Sequence, residues 1–437
     1  MALVKNKRPE KINKFLFMKE DIIAGLDIGS SETKLVVAQR NNKEEGNKIQ
    51  VIGATSVPTE GISKGVIKSI DDVTSTISAL LEKGERLVGV PIESVWLGIN
   101  DPYVKCEKSK GVVAVGKSNG EISPEDVDRA IEAAQTLSVP INYEILHVLP
   151  VNFAVDNQKD IKDPVGMNGV RLEVEVLVIQ GVSSQIKNLT KAIHRTKVEI
   201  EDLVLSPLAL GEAIISGKQR ELGVAVVDIG SSTTSVAVFE EEKLIHTSIL
   251  PLGSEHITAD MAIGLRCPIN LAERIKLEYG HANPGQFSQK DSADVTDLVK
   301  EEEVNDDIGE VSRKYIAEII EARTEEIFEK VDEELEKIER SGMLPAGVLL
   351  AGGGSKLPGV VDVAKNKLRL PVSVGEVKNM ETIIDKVNDP NFLPAVGLVI
   401  WGGYGLDRKE GGIFSGSKEG VKKAGKKVKD LFSKLMP

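Results

Sequence analysis

Cysteine is nearly missing from this chain of 437 residues. Cys106 and Cys267 stand far apart, so there is no CxxC pair, no zinc-type cluster and no disulfide framework, and a reducing cytoplasm is the expected compartment. Histidines 147, 194, 246, 256 and 281 are dispersed, without ligand spacing or a Ser-His-Asp arrangement. Long apolar runs are lacking too. Stretches such as Val348–Ala351 and 398–401 fall far short of the roughly 20 residues that span a bilayer. The first 20 residues are basic (Lys5, Lys7, Arg8, Lys11, Lys14), but the apolar run 15–18 is too short for a signal-peptide core, and the segment reads as a flexible extension. Positive charge is outweighed: 55 Lys and Arg against 67 Asp and Glu give a net −12, which argues against a nucleic-acid partner. What is present is enough for real cores, with 41% apolar and 28% charged residues, and the length suggests roughly three structural units.

The strongest signal is internal repetition. Residues 27–33 read DIGSSET and residues 228–234 read DIGSSTT, with six of seven positions identical. The flanks agree in kind. Apolar runs of strand length precede each copy at 22–28 and 224–229. Further strands follow at 34–38 and 235–239, then at 49–54 and 244–250. A helix is expected next, over 66–81 in the first copy and 256–265 in the second. In each copy an Asp ends a strand, a Gly permits a tight turn, and Ser-Ser supplies hydroxyls and exposed N–H groups before the next strand. Converging N–H donors make a nest for an anion. The Asp cannot hold phosphate, because like charges repel; its expected task is to hold waters of a magnesium ion bridging to phosphates. One such turn is also compatible with an ordinary hairpin, since Asp, Gly and Ser are common turn formers. Two near-identical copies in the same strand context favour a polyphosphate clamp.

The candidate binding residues are therefore Asp27, Gly29, Ser30, Ser31 and Lys34 in the first copy, and Asp228, Gly230, Ser231, Ser232 and Thr233 in the second, with Asp27 and Asp228 reaching the metal through water. A third segment follows a buried strand at 347–351: Gly352, Gly353, Gly354 and Ser355, then a helix opening at 356–359 and running to about residue 368. Consecutive glycines allow a flat ligand to lie on bare backbone, although a flexible strand–helix turn would use the same residues. None of these motifs is a Walker A loop or a GxGxxG dinucleotide turn.

These residues resemble the actin, Hsp70 and hexokinase ATPase superfamily and, within it, the FtsA family of bacterial cell-division proteins. DIGSSETK (27–34) is similar to the first phosphate motif, VVDIGSSTTSVAVF (226–239) to the second and LLAGGGSKLPG (349–359) to the adenosine motif. ILHVLPVNFAVD (145–156) and DPVGMNGVRLEVEVLVI (163–179) are FtsA-like. The resemblance implies an α/β, actin-like two-lobe ATPase fold with a duplicated ββ-β-α core and an inserted 1C-type subdomain, binding ATP and Mg2+. It matches Lys34 to the lysine that approaches the phosphates in actin. It makes Glu273 and Lys276, in LAERIKLEYG (271–280), candidate ribose or adenine contacts. It implies subdomain 1A at 21–85, 168–221 and 382–405, 1C at 86–167, 2A at 222–252 and 340–381, and 2B at 253–339. Where actin carries a glutamine that positions the attacking water, this chain has Ser206 or Pro207, so ATP binding is better supported than turnover.

Within 86–167, strands are expected at 95–99 and 111–115, and a helix capped by Ser123 with Pro124 first and Glu125 and Asp126 in its opening turn. Leu172, Val174, Val176 and Val178 alternate with Arg171, Glu173 and Glu175, a half-buried strand expected to lead back to the first lobe. Residues 301–340 read as mostly one long helix, with Ile316, Ile320, Ile327, Val331, Leu335 and Ile338 on its dry face.

Residues 406–416 read as a linker, and 417–437 change character. Seven lysines, Lys422, Lys423, Lys426 and Lys427 among them, stand against Glu419 and Asp430. Val421, Val428, Leu431, Phe432 and Leu435 fall at helical spacing. A basic amphipathic helix of this kind suits an anionic membrane surface; a helix packed on the protein itself, or a solubilising tail, is the plainer alternative. The resemblance implies further partners: the C-terminal peptide of tubulin-like FtsZ through 2B, other division proteins through 1C, and copies of the chain in filaments. The function it implies is tethering FtsZ filaments to the cytoplasmic face of the cell membrane at the division site. A type IV pilus assembly adaptor and a small-molecule kinase of the same superfamily are the alternatives.

Overall fold

The structure, a computed structural model, describes residues 22–41, 48–135, 139–302, 309–378, 380 and 384–410. The basic N-terminal extension and the amphipathic tail with its lysines lie outside these residues.

The chain opens with β1 (Ile22–Ile28), β2 (Glu32–Asn41) and β3 (Lys48–Pro58), an antiparallel meander. The helix expected over 66–81 begins later. Val66 and Ile67 form β5, paired with β4 (Ile62–Ser63), and α1 spans Ile70–Val88. Its cap is Ser69, which accepts from the Asp72 amide, and it ends on Gly89 in the left-handed conformation. β6 (Ser94–Ile99) then lies parallel to β1, so this strand belongs to the first sheet rather than to the inserted region.

The inserted unit follows. β7 (Lys105–Ala114), α2 (Pro124–Gln135), β8 (Tyr143–Val155), β9 (Gln158–Ile161) and β10 (Arg171–Val182) make an antiparallel sheet in the order β7-β10-β8-β9. Residues 171–182, expected with the first lobe, are thus an inner strand of the inserted sheet. The alternation is as expected: Leu172, Val174, Val176 and Val178 pack under α2, while Leu177 and Ile179 face the main core. At the start of α2 the capping runs opposite to expectation. The Asp126 carboxylate accepts from the Ser123 amide and hydroxyl, and the Ser123 amide bond is the main reason its pKa lies well below the usual range. The chain returns through α3 (Ser183–Arg195) to β11 (Glu199–Leu205), which completes the first sheet in the order β11-β6-β1-β2-β3.

Helices α4 (Ser206–Ile214) and α5 (Gly217–Leu222) lead to the second copy: β12 (Val224–Ile229), β13 (Thr234–Glu240) and β14 (Lys243–Leu250). Then come α6 (Ser254–Leu265), α7 (Ile269–Tyr279), the short pair β15 (Ser292–Asp294) and β16 (Glu310–Ser312), and between them α8 (Thr296–Glu301). The long helix α9 covers only Arg313–Glu336 of the expected 301–340, because Glu310–Ser312 pair with β15 and Ser312 caps it. β17 (Val348–Ala351), α10 (Val360–Leu368) and β18 (Val372–Val374) complete a sheet in the order β14-β13-β12-β17-β18. The two five-stranded sheets have one topology: a meander, then parallel strands beside its first strand. The repeat read from seven residues is therefore a repeat of the whole sheet.

The last helix, α11 (Leu393–Glu410), continues through 406–410, where a linker is expected; these are helix-forming residue types, and the glycine pair 411–412 comes only afterwards. Alternation along each strand divides the packing. On the first sheet Ile23, Val36 and Trp96 face one way, and Ala24, Leu26, Leu35 and Leu97 the other. On the second, Val224, Val226, Ala237 and Phe239 face the shared core, and Ala225, Val227 and Val238 face α9 and α10. Helices α4 and α11 cross within the shared core. A Cβ on Gly397 would sit 2.1 Å from the Ala209 carbonyl oxygen, and one on Gly25 would sit 2.5 Å from that of Ala395. Gly397→Ala should therefore cost about 1–3 kcal/mol in denaturant unfolding. Gly217→Ala, with open space around it, should leave stability unchanged or slightly raised.

Candidate functional site

Each matched loop sits where the first strand of its sheet turns into the second. In the first, Gly29 N–H donates to the Glu32 carbonyl (3.1 Å), and a Cβ on Gly29 would lie 2.8 Å from that oxygen. In the second, Gly230 N–H donates to the Thr233 carbonyl (2.8 Å). Among the described residues the amides of Ser30, Ser31, Ser231 and Ser232 have no hydrogen-bond partner, which leaves them as donors for an anion. The loops line one cavity of about 110 Å³, with Asp27, Ser30, Lys34, Asp228, Ser231 and Thr233 on its walls. The two copies thus face each other across a single space.

Register explains the charges. Asp27 pairs with Lys34 across β1 and β2, which puts both side chains on one face, and Lys34 Nζ lies 3.6 Å from Asp27 Oδ2. Asp228 pairs with Ser235 in the same way, so the second copy has a serine where the first has its lysine. Ser235 Oγ is buried without a partner among the described residues. Asp228 is buried, and burial together with the nearby Asp27 charge pushes its pKa up to about 7 against the pull of Lys34. One lysine serves two carboxylates.

Neighbouring elements brace the loops. The Gly65 amide, between β4 and β5, donates to Ser30 Oγ (3.1 Å), and the Thr59 amide donates to the Ser31 carbonyl (2.9 Å). Opposite, the α6 amides of Ser254 and Glu255 donate to the carbonyls of Gly230 and Ser231, both at 2.9 Å. The hydroxyls of Ser231 and Ser232 donate to the Glu255 carboxylate (3.3 and 2.8 Å), so they brace the loop and leave its amides to meet a ligand.

The glycine segment closes one end. Gly352 has φ +79°, and a Cβ there would lie 2.3 Å from Asp228 Oδ1; one on Gly354 would lie 2.4 Å from the Ile229 side chain. Ser355 Oγ donates to the Gly352 carbonyl (2.7 Å). These residues press onto the end of β12, while Gly353 is exposed beside Asn391. Glu273 and Lys276 are not brought to the cavity wall. They meet each other on α7 at 2.7 Å, and Lys276 also donates to Thr258 Oγ1 (2.8 Å) and the Ser254 carbonyl (3.3 Å). Ser206 is buried at the start of α4, its hydroxyl without a partner among the described residues. A Cβ on Gly98 would lie 2.7 Å from that hydroxyl and 3.4 Å from Asp27 Oδ1, which places Ser206 behind the first aspartate.

Several wall residues had no sequence signal. Asn391 Nδ2 donates to Glu32 Oε2 (2.9 Å), Asn100 donates to Thr233, and Gly65 is set by the small hairpin. Topology brings these in, and no local pattern marks them.

Comparison with known proteins agrees with this fold. The family described as Cell division protein FtsA matches residues 225–397, and the SHS2 domain inserted in FTSA matches residues 102–180. Cell division protein FtsA of Bacillus subtilis (strain 168) is 38% identical over 379 residues, 87% of this chain and 83% of the relative. FtsA of Pseudomonas aeruginosa is 33% identical over 393 residues, 90% and 91% of the two chains. Among solved structures, a PilM-PilN type IV pilus biogenesis complex aligns with TM-score 0.62 at 17% identity, covering 88% of this chain and 99% of that one. MreB5 of Spiroplasma citri bound to ADP aligns with TM-score 0.52 at 12% identity, covering 90% and 99%. At such identities the structures share the fold alone; the relatives, similar over most of their length, establish that this chain belongs to the FtsA family of bacterial cell-division proteins.

Proposed function

We propose that the chain binds ATP with Mg2+ between its two matched loops, and that the bound nucleotide favours a closed, filament-forming arrangement of the lobes. Its place in cell division follows from the family, and nucleotide binding from the actin-like fold. The observation that carries the finer reading is the facing pair of Asp-Gly-Ser turns, with free amides for phosphate and buried carboxylates behind them.

A hydrated divalent cation suits this donor set. Asp27 and Asp228 are two carboxylates with one lysine between them, and the second is held against ionisation by burial and by the first. When bound, the cation would neutralise phosphate charge and offer its waters to the carboxylates. The chain's own groups do the rest. The amides of Ser30, Ser31, Ser231 and Ser232 take phosphate oxygens, Lys34 adds positive charge, and Gly353 leaves bare backbone for the nucleoside. Hydrolysis is expected to be slow, since Ser206 offers a short hydroxyl behind Asp27 and no longer amide side chain.

The division of labour proposed beyond the cleft follows the sequence. Residues 253–339 would receive the C-terminal peptide of FtsZ, the inserted unit would contact other division proteins and neighbouring copies, and the basic tail 417–437 would lie on the anionic cytoplasmic membrane. A single helix of that kind binds weakly; a filament would present many at once. Among the described residues no helix is long and apolar enough to cross a membrane.

Three outcomes test this reading. Asp228→Ala and Gly353→Phe should each weaken Mg-ATP binding about tenfold or more in calorimetric titration; unchanged affinity in both would remove the site. Deleting residues 417–437 should abolish pelleting with anionic vesicles and leave ATP binding intact. The third concerns pH in the nucleotide-free protein. Burial and the Asp27 charge push the Asp228 pKa up to about 7 in the folded state, against 3.8 for an ordinary aspartate. Between those values the folded state holds a proton that the unfolded state has lost, so this group's contribution makes stability fall as pH rises, by up to about 1.4 kcal/mol per pH unit, and level off above 7. Asp228→Asn should flatten that slope in urea unfolding measured from pH 5 to 8; an identical slope would refute the assignment.

A further inference from the structure

The cavity has a polar wall that the duplication does not supply. Asn100 follows the last residue of β6 and lines the cavity opposite the second loop. Its Nδ2 donates across the cleft to Thr233 Oγ1 at 3.4 Å. Its Oδ1 is buried and, among the described residues, has no partner. A carboxamide oxygen is an acceptor only, so a phosphate oxygen, itself an acceptor, cannot satisfy it. A buried acceptor left unpaired is costly, and the donor that would pair it must come from the ligand side. In a space walled by Asp27 and Asp228, water held on a cation is the donor that fits.

Resting on the Mg-nucleotide reading above, we propose that Asn100 is a binding residue of this site, its Oδ1 accepting from a water of the divalent cation while Nδ2 stays on Thr233. The position gives the contact a second consequence. Asn100 is where the chain leaves the first sheet for the inserted unit. Asp101 Oδ1 accepts from the Tyr103 amide (2.8 Å) and the Asp101 carbonyl from the Val104 amide (3.0 Å), a tight turn that feeds directly into β7. One residue into β7, the half-buried Cys106 thiol lies against the Thr247 backbone on β14. Lys243, at the start of β14, donates to Asn152 Oδ1 on β8 (3.0 Å). The inserted unit is therefore tied to the second lobe at its sheet edge as well as through Asn100. Fixing the Asn100 carboxamide on a ligand steadies the turn from which that unit hangs.

The test uses the full chain with Asn100→Leu, which removes both polar atoms at similar volume, and Asn100→Asp, which keeps an acceptor. ATP affinity is measured by calorimetric titration with Mg2+ and with EDTA, and the gain from Mg2+ is compared. Asn100→Leu should lose about tenfold of that gain, with its EDTA affinity within about twofold of wild type. Asn100→Asp should keep the gain. Hydrogen exchange over residues 101–106 should slow on adding Mg-ATP in wild type and Asn100→Asp, but not in Asn100→Leu. A wild-type Mg2+ gain in Asn100→Leu would overturn the proposal. So would equal losses in the two variants, which would mean Asn100 only holds the fold. A wild-type protein that does not bind ATP would instead defeat the nucleotide reading itself.

Discussion

The crossing of α4 and α11 is the contact on which the site depends. It brings two backbones so close at Gly397 and Ala209 that no side-chain carbon fits between them. Each helix follows the last strand of one sheet, and together they fill the layer between the inner faces of both. Because α11 also packs on β1 at Gly25, and Phe239 of β13 packs on α4 at Gly211, the ends of β1 and β12 are held toward one another. The facing of Asp27 and Asp228 is a consequence of that layer. A well-packed core resists gradual deformation, so relative motion of the lobes is expected as rotation about this crossing rather than as loosening.

Duplication followed by divergence explains the electrostatics. Both copies keep the Asp, the Gly and the Ser pair, which the turn geometry requires. They differ at the cross-strand partner of the Asp, Lys34 in one and Ser235 in the other. A lysine in both would neutralise the carboxylates and leave no call for a cation. With one lysine, the second carboxylate stays under-compensated, and the proposed cation would complete the charge balance. A ligand that bridges both loops interacts differently with open and closed lobes, which is the condition for it to shift their populations.

Much of this was legible in the residues, for identifiable reasons. The two turns were visible because tight strand–turn–strand geometry admits few residue types, and the strands beside them because buried strands read as short apolar runs. Misplacements arose where strand pairing, rather than the local residue pattern, decides the element. Val66 and Ile67 look like the start of an apolar helix until Ile62 and Ser63 pair with them. β6 and β10 bracket the inserted unit, and only their partners decide which sheet each joins. The first five residues of the linker read at 406–416 are the last part of α11. Asn100, Asn391 and Gly65 reach the cavity from separate segments, so no spacing in the chain could single them out. Lys276 was visible as a lysine on a helix, but its bonds to Thr258 and Ser254 depend on how α6 packs on α7.

The proposed site requires both loops to grip one ligand. Amide hydrogen exchange resolved to residues 29–32 and 230–233, with and without Mg-ATP, tests it most directly. Protection should rise in both loops together, with the same dependence on nucleotide concentration. Protection in one loop alone, or in neither while nucleotide is bound, would contradict it.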